Sequence, residues 1–389
     1  MELFPAVLIG GPPHSGKSVL AYSLTQALRQ RGVQHYVLRA APDGEGDWAN
    51  EAAQRLVRTL RIKGGFTPGF VDHVCDSLAG RHLPLLVDAG GCPTPEQERI
   101  FDHCTHAVLL TPDEASQTYW RAIAERHNLP VVADLTSRLA GESVLTTERP
   151  VLGGTITGLE RGDTATGPVF DALATRLAAI LGYDPADLRR IHHNLCPVET
   201  VIDLDRLART FDVPFEGERA TWEPRHLPEV LDYLPEHTSL GFYGRGPNWL
   251  YAAVALLARP EPFYQFDVRL GWVIPPTLRL GVSAADAPLE THLRVRAGYA
   301  HMAFSITKAY LDFTEAEGLV TPTIPTDQGV VLSGKLPLWL YTALALTYAP
   351  CTPWLAVYQP QLEDKAVVVS SRSPGRPVGG QVRLPLSKQ

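Results

Sequence analysis

Gly11-Pro12-Pro13-His14-Ser15-Gly16-Lys17-Ser18 fills the pattern G-x-x-x-x-G-K-[ST] at every fixed position. The apolar run Ala6–Ile9 precedes it, and a helical stretch over Lys17–Arg29 follows. That placement is what a phosphate cradle requires. Glycines free backbone N–H groups to wrap an anion, the helix N-terminus adds a favourable dipole, Lys17 meets the β/γ oxygens, and Ser18 holds Mg²⁺. The nucleotide-binding set expected from the motif is therefore Gly11, Ser15, Gly16, Lys17 and Ser18, with ATP and Mg²⁺ as cofactors. A carboxylate ending a second buried strand completes such a site. Leu83–Asp88 provides it, and Asp88-Ala89-Gly90-Gly91 continues as D-x-x-G, so Asp88 joins Ser18 as the expected metal partner. Ala89 stands where many ring-forming ATPases carry a glutamate, which favours binding over hydrolysis.

Outward from the motif, short apolar runs at His35–Leu38, Pro84–Val87, Ala107–Leu110 and Pro130–Ala133 read as buried parallel strands. Helical stretches at Trp48–Leu60, Pro95–Phe101, Glu114–Arg126 and Pro168–Leu181 lie between and after them. The alternation predicts a doubly wound α/β domain over residues 1–183, leaving at Tyr183-Asp184-Pro185 through a linker at 184–214. Arg121, Arg126, Arg138 and Arg161 are candidates for an arginine finger.

The 389 residues are too many for one ordinary core. A 45% hydrophobic, 20% charged composition is that of a folded chain, and the formal charge of −7 carries no global basic footprint for duplex nucleic acid. Five scattered cysteines without a C-x-x-C pair fit neither a disulfide framework nor a zinc knuckle, and point to a reducing cytoplasm. Leu336–Tyr358 is uncharged and long enough to span a bilayer, but Pro337, Pro350 and Pro353 interrupt it. It reads as a buried helix followed by a buried strand, not a membrane segment.

The second half contains a repeat. Gly244-Arg245-Gly246-Pro247-Asn248-Trp249-Leu250-Tyr251 returns 90 residues later as Gly334-Lys335-Leu336-Pro337-Leu338-Trp339-Leu340-Tyr341, and Pro235 matches Pro325 at the same offset. Downstream, Gln265–Leu270 aligns with Val357–Leu362 at an offset of 92. Two copies of one small α+β module are expected, over 215–285 and 290–389. Asp267 and Arg269, two apart on the expected strand, would share a face. Such a pair organises a 2′-hydroxyl attack and stabilises a phosphorane, or forms a structural ion pair. Gln359 and Gln361 replace them in the second copy. Gly244 and Gly246 permit close approach, Arg245 and Lys335 bring positive charge, and Trp249 and Tyr251 either stack on a base or pack in a core.

The G-R-G-P-x-W-L-Y string followed by Asp267-x-Arg269-Leu270 resembles the Csx-three family of CRISPR-associated ring nucleases, some of which are fused to P-loop ATPase-like domains. The resemblance implies homo-oligomers that clamp and degrade cyclic tetra-adenylate, a second messenger of type III CRISPR defence. It assigns ligand binding to Gly244, Arg245, Gly246 and Pro247 and to Ser333, Gly334 and Lys335. It assigns cleavage to Asp267 and Arg269, with Mn²⁺ as an alternative to Mg²⁺. Two departures stand out: Ala252–Arg259 lacks the family's histidine after W-L-Y, and the second copy lacks the acid and the arginine. His292 and His301 are the substitutes to weigh. The alternatives are an inactive sensor or sponge for the same messenger and a P-loop small-molecule kinase.

Overall fold

The computed structural model describes residues 4–40, 68–217, 219–284, 286–296, 298–307, 311, 313–324 and 327–384. The helix expected over Trp48–Leu60 and the repeat's Pro325 lie outside them. The chain is mixed α/β and divides into two compact units, the first ending at His192 and taking in Val268–Gly271, the second holding the rest from His193 onward.

The first unit is a seven-stranded sheet built from β1 (Ala6–Gly10), β2 (Tyr36–Ala40), β3 (Leu85–Ala89), β4 (His106–Thr111), β5 (Val131–Arg138), β6 (Val144–Thr147) and β7 (Leu152–Thr157). Its order is β2-β3-β1-β4-β5-β7-β6, parallel throughout except for β6. All five expected strands are present, while the β6–β7 hairpin, with its glycines and threonines, showed no apolar run to announce it. Helices α1 (Lys17–Gln30), α2 (Pro68–Ala79), the short α3 (Pro95–Glu98), α4 (Glu114–Arg126), α5 (Pro168–Leu181) and α6 (Pro185–Asn194) connect or follow these strands. Two cores result. Leu20, Leu24, Leu173 and Leu177 of α1 and α5 pack on one face with Val7 and Ile9, and Val74, Leu78, Trp120 and Ile123 of α2 and α4 pack on the other with Leu8 and Val87.

The stretch read as a linker is folded. Asp184 accepts from the N–H of Ala186 (2.8 Å) and of Asp187 (3.3 Å), with Pro185 opening α6, so the supposed exit is a helix start. Leu188 of α6 is buried with Phe4 and Leu83. Further on, β8 (Val201–Asp203) and α7 (Leu204–Thr210) already belong to the second unit.

In the second unit a ribbon pairs β9 (Phe215–Glu216) with β10 (Arg219–Ala220), and α8 (His226–Tyr233) leads to β11 (Leu240–Tyr243), α9 (Asn248–Ala258), β12 (Phe263–Asp267) and β13 (Gly271–Val273). The sheet order is β13-β12-β11-β8, with β8, β11 and β12 parallel. After β14 (Arg279–Gly281) come β15 (Leu289–Arg296), β16 (Tyr299–Ile306), β17 (Val320–Pro322), which pairs with β14, β18 (Gly329–Gly334), α10 (Leu338–Tyr348), β19 (Trp354–Gln359), β20 (Lys365–Ser371) and β21 (Gln381–Arg383). These build a six-stranded sheet ordered β15-β16-β18-β19-β20-β21. The uncharged run Leu336–Tyr358 is thus the buried helix α10 and strand β19, and no helix among the described residues is long and apolar enough to cross a membrane.

The two repeated runs occupy the same local structure. Each follows a strand, turns at a glycine, starts a helix after a proline, and returns through a parallel strand. Leu240 pairs with Phe263 and Val330 with Leu355, equivalent registers at the offsets of 90 and 92. Gly244 (φ 117°) and Gly334 (φ 148°) hold backbone conformations that side-chain-bearing residues avoid. A Cβ on Gly334 would lie 2.3 Å from the carbonyl oxygen of Phe304. The tyrosine seven residues on closes each turn. Tyr251 donates its hydroxyl to the Gly244 carbonyl at 2.6 Å, and Tyr341 donates to the Gly334 carbonyl. Burial raises both phenols above their usual range, so both remain protonated donors at any physiological pH. Trp249 and Trp339 are fully buried beside them, and α9 packs against α10. Replacing Tyr251 or Tyr341 by Phe leaves a turn carbonyl without its donor, an expected loss of about 1–3 kcal/mol from unfolding stability. Denaturant titration of the full chain checks this, and wild-type stability in both variants would show that the turns need no clasp.

Candidate functional site

The loop between β1 and α1 sits at the carboxyl end of the strand where the sheet order reverses, the place where open α/β sheets accept ligands. Gly11 is packed so closely that a Cβ would lie 2.0 Å from the Leu110 carbonyl oxygen, and Gly16 is left-handed (φ 89°). Lys17 is buried and donates from Nζ to the carbonyls of Gly11 and Pro12, both at 2.8 Å, so the ammonium is held over its own loop. Ser18 donates its hydroxyl to Asp88 Oδ2 at 2.9 Å. Ser15 is 3% exposed, and its hydroxyl has no hydrogen-bond partner among the described residues. A buried polar atom left without a partner is costly unless a ligand or water satisfies it, so this oxygen is suited to an anion's coordination shell.

Register explains one further member, and close packing another. Arg39 lies opposite Asp88 across β2 and β3 and brings its guanidinium to 3.9 Å from Oδ2. Arg39 lies beyond the apolar run His35–Leu38 that marks this strand in the sequence, so linear patterning does not single it out. Gly91, the glycine of D-x-x-G, lies against the loop itself, and a Cβ there would be 2.4 Å from the nitrogen of Pro13. The residues read as a metal-binding follow-up to Asp88 therefore also shape the loop. Among the described residues no group of three or more histidine, cysteine, aspartate or glutamate side chains could hold a metal. A divalent ion here would rest on Ser18 and Asp88, with the nucleotide's own phosphates supplying the remaining oxygens.

Two of the finger candidates are held elsewhere. Arg121 is ion-paired with Asp134, which also accepts from Gln117 at 2.9 Å, and Arg126 binds Glu98 at 2.6 Å.

In the first repeat, β12 ends at Asp267, and Val268–Leu270 form a turn. Arg269 is thus exposed on a turn, not two places along a strand, and alternation does not put it on Asp267's face. Gln359 likewise ends β19, and Gln361 lies in the short 3-10 turn that follows, where the two amides hydrogen-bond to each other. Gly244 and Gly246 face inward. A Cβ would lie 3.1 Å from Leu204 Cβ at the first and 2.9 Å from Leu204 Cδ1 at the second, so these glycines make room for α7 within the chain. Trp249 and Tyr251 are fully buried, which leaves neither ring a face for stacking on a base. Arg245, before Pro247, and Lys335, after Gly334, are exposed, and among the described residues neither forms an ion pair.

The register also brings together residues that linear spacing keeps apart. Asp203 ends β8 opposite Tyr243, with His193 Nε2 3.3 Å from its Oδ2. In the second repeat, Ser333 is 8% exposed, and its hydroxyl lies 2.8 Å from His301 Nε2.

A family match with known proteins falls in the C-terminal part. Residues 304–383 match the family described as CRISPR-associated protein (Cas_csx3), so this C-terminal part of the chain is similar to that family. The match falls on the second repeat, the one expected to be degenerate. An "Uncharacterized protein" of Aquifex aeolicus (strain VF5) is 46% identical over 54 residues, 14% of this chain and 47% of that one. The chain thus spans about half the length of this curated relative. The crystal structure of APE1195 is 20% identical over 35% of this chain and 60% of its own, with a TM-score of 0.16, a likeness too slight to place the fold.

The loop packing yields a test. Gly91→Ala inserts a methyl against the Pro13 backbone and is expected to destabilise the chain by about 1–3 kcal/mol. Chemical denaturation measures it, and unchanged stability would show that the loop is not held against Gly91.

Proposed function

We propose that the chain binds ATP with Mg²⁺ in its first unit, and that its second unit contains two tandem ring-nuclease-like modules that bind and cleave cyclic oligoadenylate in CRISPR-associated defence. One observation carries the reading. The same strand, glycine turn, proline, helix and parallel strand recur with the same tyrosine clasp, and one of the two lies in the Cas_csx3 region. Duplication of a half-site is economical for a ligand whose phosphodiesters repeat around a ring.

In the first unit, incoming phosphates take over the Lys17 ammonium from the loop carbonyls and supply the partner that the Ser15 hydroxyl lacks among the described residues. Ser18 and Asp88 would hold Mg²⁺, which would neutralise phosphate charge. Nucleotide binding then assembles or gates the modules, with homo-oligomers clamping the ring.

In the second unit, the exposed charges of Arg245 and Lys335 stand beside the glycine turns and the starts of α9 and α10, where cation and helix dipole together favour a phosphate. Gly244, Gly246, Pro247, Ser333 and Gly334 set the backbone that carries these charges. Asp267 positions a ribose 2′-hydroxyl, with Mg²⁺ or Mn²⁺ as its alternative partner, and Arg269 stabilises charge on the phosphorane.

Lys17→Ala removes the charge facing the β/γ phosphates and is expected to abolish measurable ATP binding in calorimetry. Equal affinity in wild type and variant would contradict the nucleotide assignment. For the rings, Arg269→Ala is expected to slow single-turnover cleavage by about two to three orders of magnitude. Asp267→Asn is expected to lower the rate more than the affinity. Undiminished cleavage in both variants would place the chemistry on other residues.

A further inference from the structure

The second repeat has glutamines in place of the first repeat's acid and arginine, but its sheet supplies a proton acceptor of another kind. His301 lies on β16 between Arg294 of β15, its antiparallel partner, and Val331 of β18. Paired residues share a face, so Arg294 and, one pleat along, Arg296 stand on the side of the imidazole. Ser333 lies two residues beyond Val331, at the carboxyl end of β18, and meets His301 Nε2 at 2.8 Å. Gly334 and the exposed Lys335 follow. Burial, then the charges of Arg294 and Arg296, push the His301 pKa below the usual histidine value. At neutral pH the ring is uncharged. A lone-pair nitrogen beside a buried hydroxyl and in the field of two arginines is the arrangement a base needs beside a phosphodiester.

We propose that His301 is the general base of a cleavage site in the second module, with Ser333 positioning its ring. This rests on the cyclic oligoadenylate reading above. His301 takes the proton of a ribose 2′-hydroxyl as that oxygen attacks the adjacent phosphorus. The O2′–P bond forms, the P–O5′ bond breaks, and the departing 5′ oxygen receives the proton back from the imidazolium. The ring opens to a chain with a 2′,3′-cyclic phosphate at one end and a 5′-hydroxyl at the other, and nothing else is consumed. Arg294, Arg296 and Lys335 hold the phosphate and stabilise its developing charge.

The test uses the full chain and cyclic tetra-adenylate, in an Arg269→Ala background that slows the first module. Residual single-turnover cleavage is expected there, and adding His301→Gln should lower it by about two to four orders of magnitude. Ring affinity should stay within about threefold, as expected for a group that acts mainly in the transition state. In the same background, His301→Gly should regain rate when imidazole is added, a response that a purely structural histidine would not give. Ser333→Ala should fall between the two. The inference is overturned if Arg269→Ala alone leaves no residual cleavage, if His301→Gln leaves the residual rate unchanged, or if affinity falls as far as rate. Wild-type protein that leaves the ring intact would overturn the proposed function along with it, whereas the other outcomes strike this inference alone.

Discussion

A tyrosine hydroxyl bonded to a glycine carbonyl seven residues earlier organises the second unit. It closes the turn between strand and helix, and so decides where the helix begins and what precedes its first N–H groups. Glycine is required at the turn because the backbone is left-handed in both copies, and because the strand or helix packed against it leaves no space for a side chain. Proline then starts the helix, and the tryptophan two places later anchors it in the core. The G-x-x-P-x-W-L-Y string is therefore first a folding device. On the proposed reading, its functional content lies in what it leaves at the surface: Arg245 in one copy, Lys335 in the other.

The first unit uses a comparable economy. Lys17 and Ser18 each have a partner within the chain, the loop carbonyls and Asp88, while the Ser15 hydroxyl has none among the described residues. The site is preorganised, and on the proposed reading a nucleotide replaces internal partners instead of ordering a loose loop. That keeps the ordering cost of binding low. Arg39 beside Asp88 tempers the carboxylate's charge without crossing the loop.

Much of this was legible in the residues. The eight-residue motif, the apolar runs and the 90-residue repeat lead to the strand–loop–helix around Lys17, to five strands of the first sheet and to the strands β12 and β19 that follow the two repeated runs. What failed to show has physical reasons. Asp184-Pro185 signals a turn and a helix start equally well, and only the burial of Leu188 decides between them. Val201–Asp203 is too short to display a period, and joins its sheet because β11 offers an open edge. Arg269 was given strand alternation that stops at Asp267. His301 and Ser333 are 32 residues apart, and only the parallel register of β16 and β18 makes them neighbours. Linear spacing carries local chemistry, whereas contacts across a sheet belong to topology.

The central claim is that the paired modules act on a cyclic oligoadenylate. Purified protein incubated with cyclic tri-, tetra- and hexa-adenylate, with and without ATP and Mg²⁺, tests it most directly through chromatographic separation of rings from linear products. The account predicts conversion of at least one ring, the tetra-adenylate foremost, to linear oligoadenylate. Rings of every size left uncut under all of these conditions would contradict it.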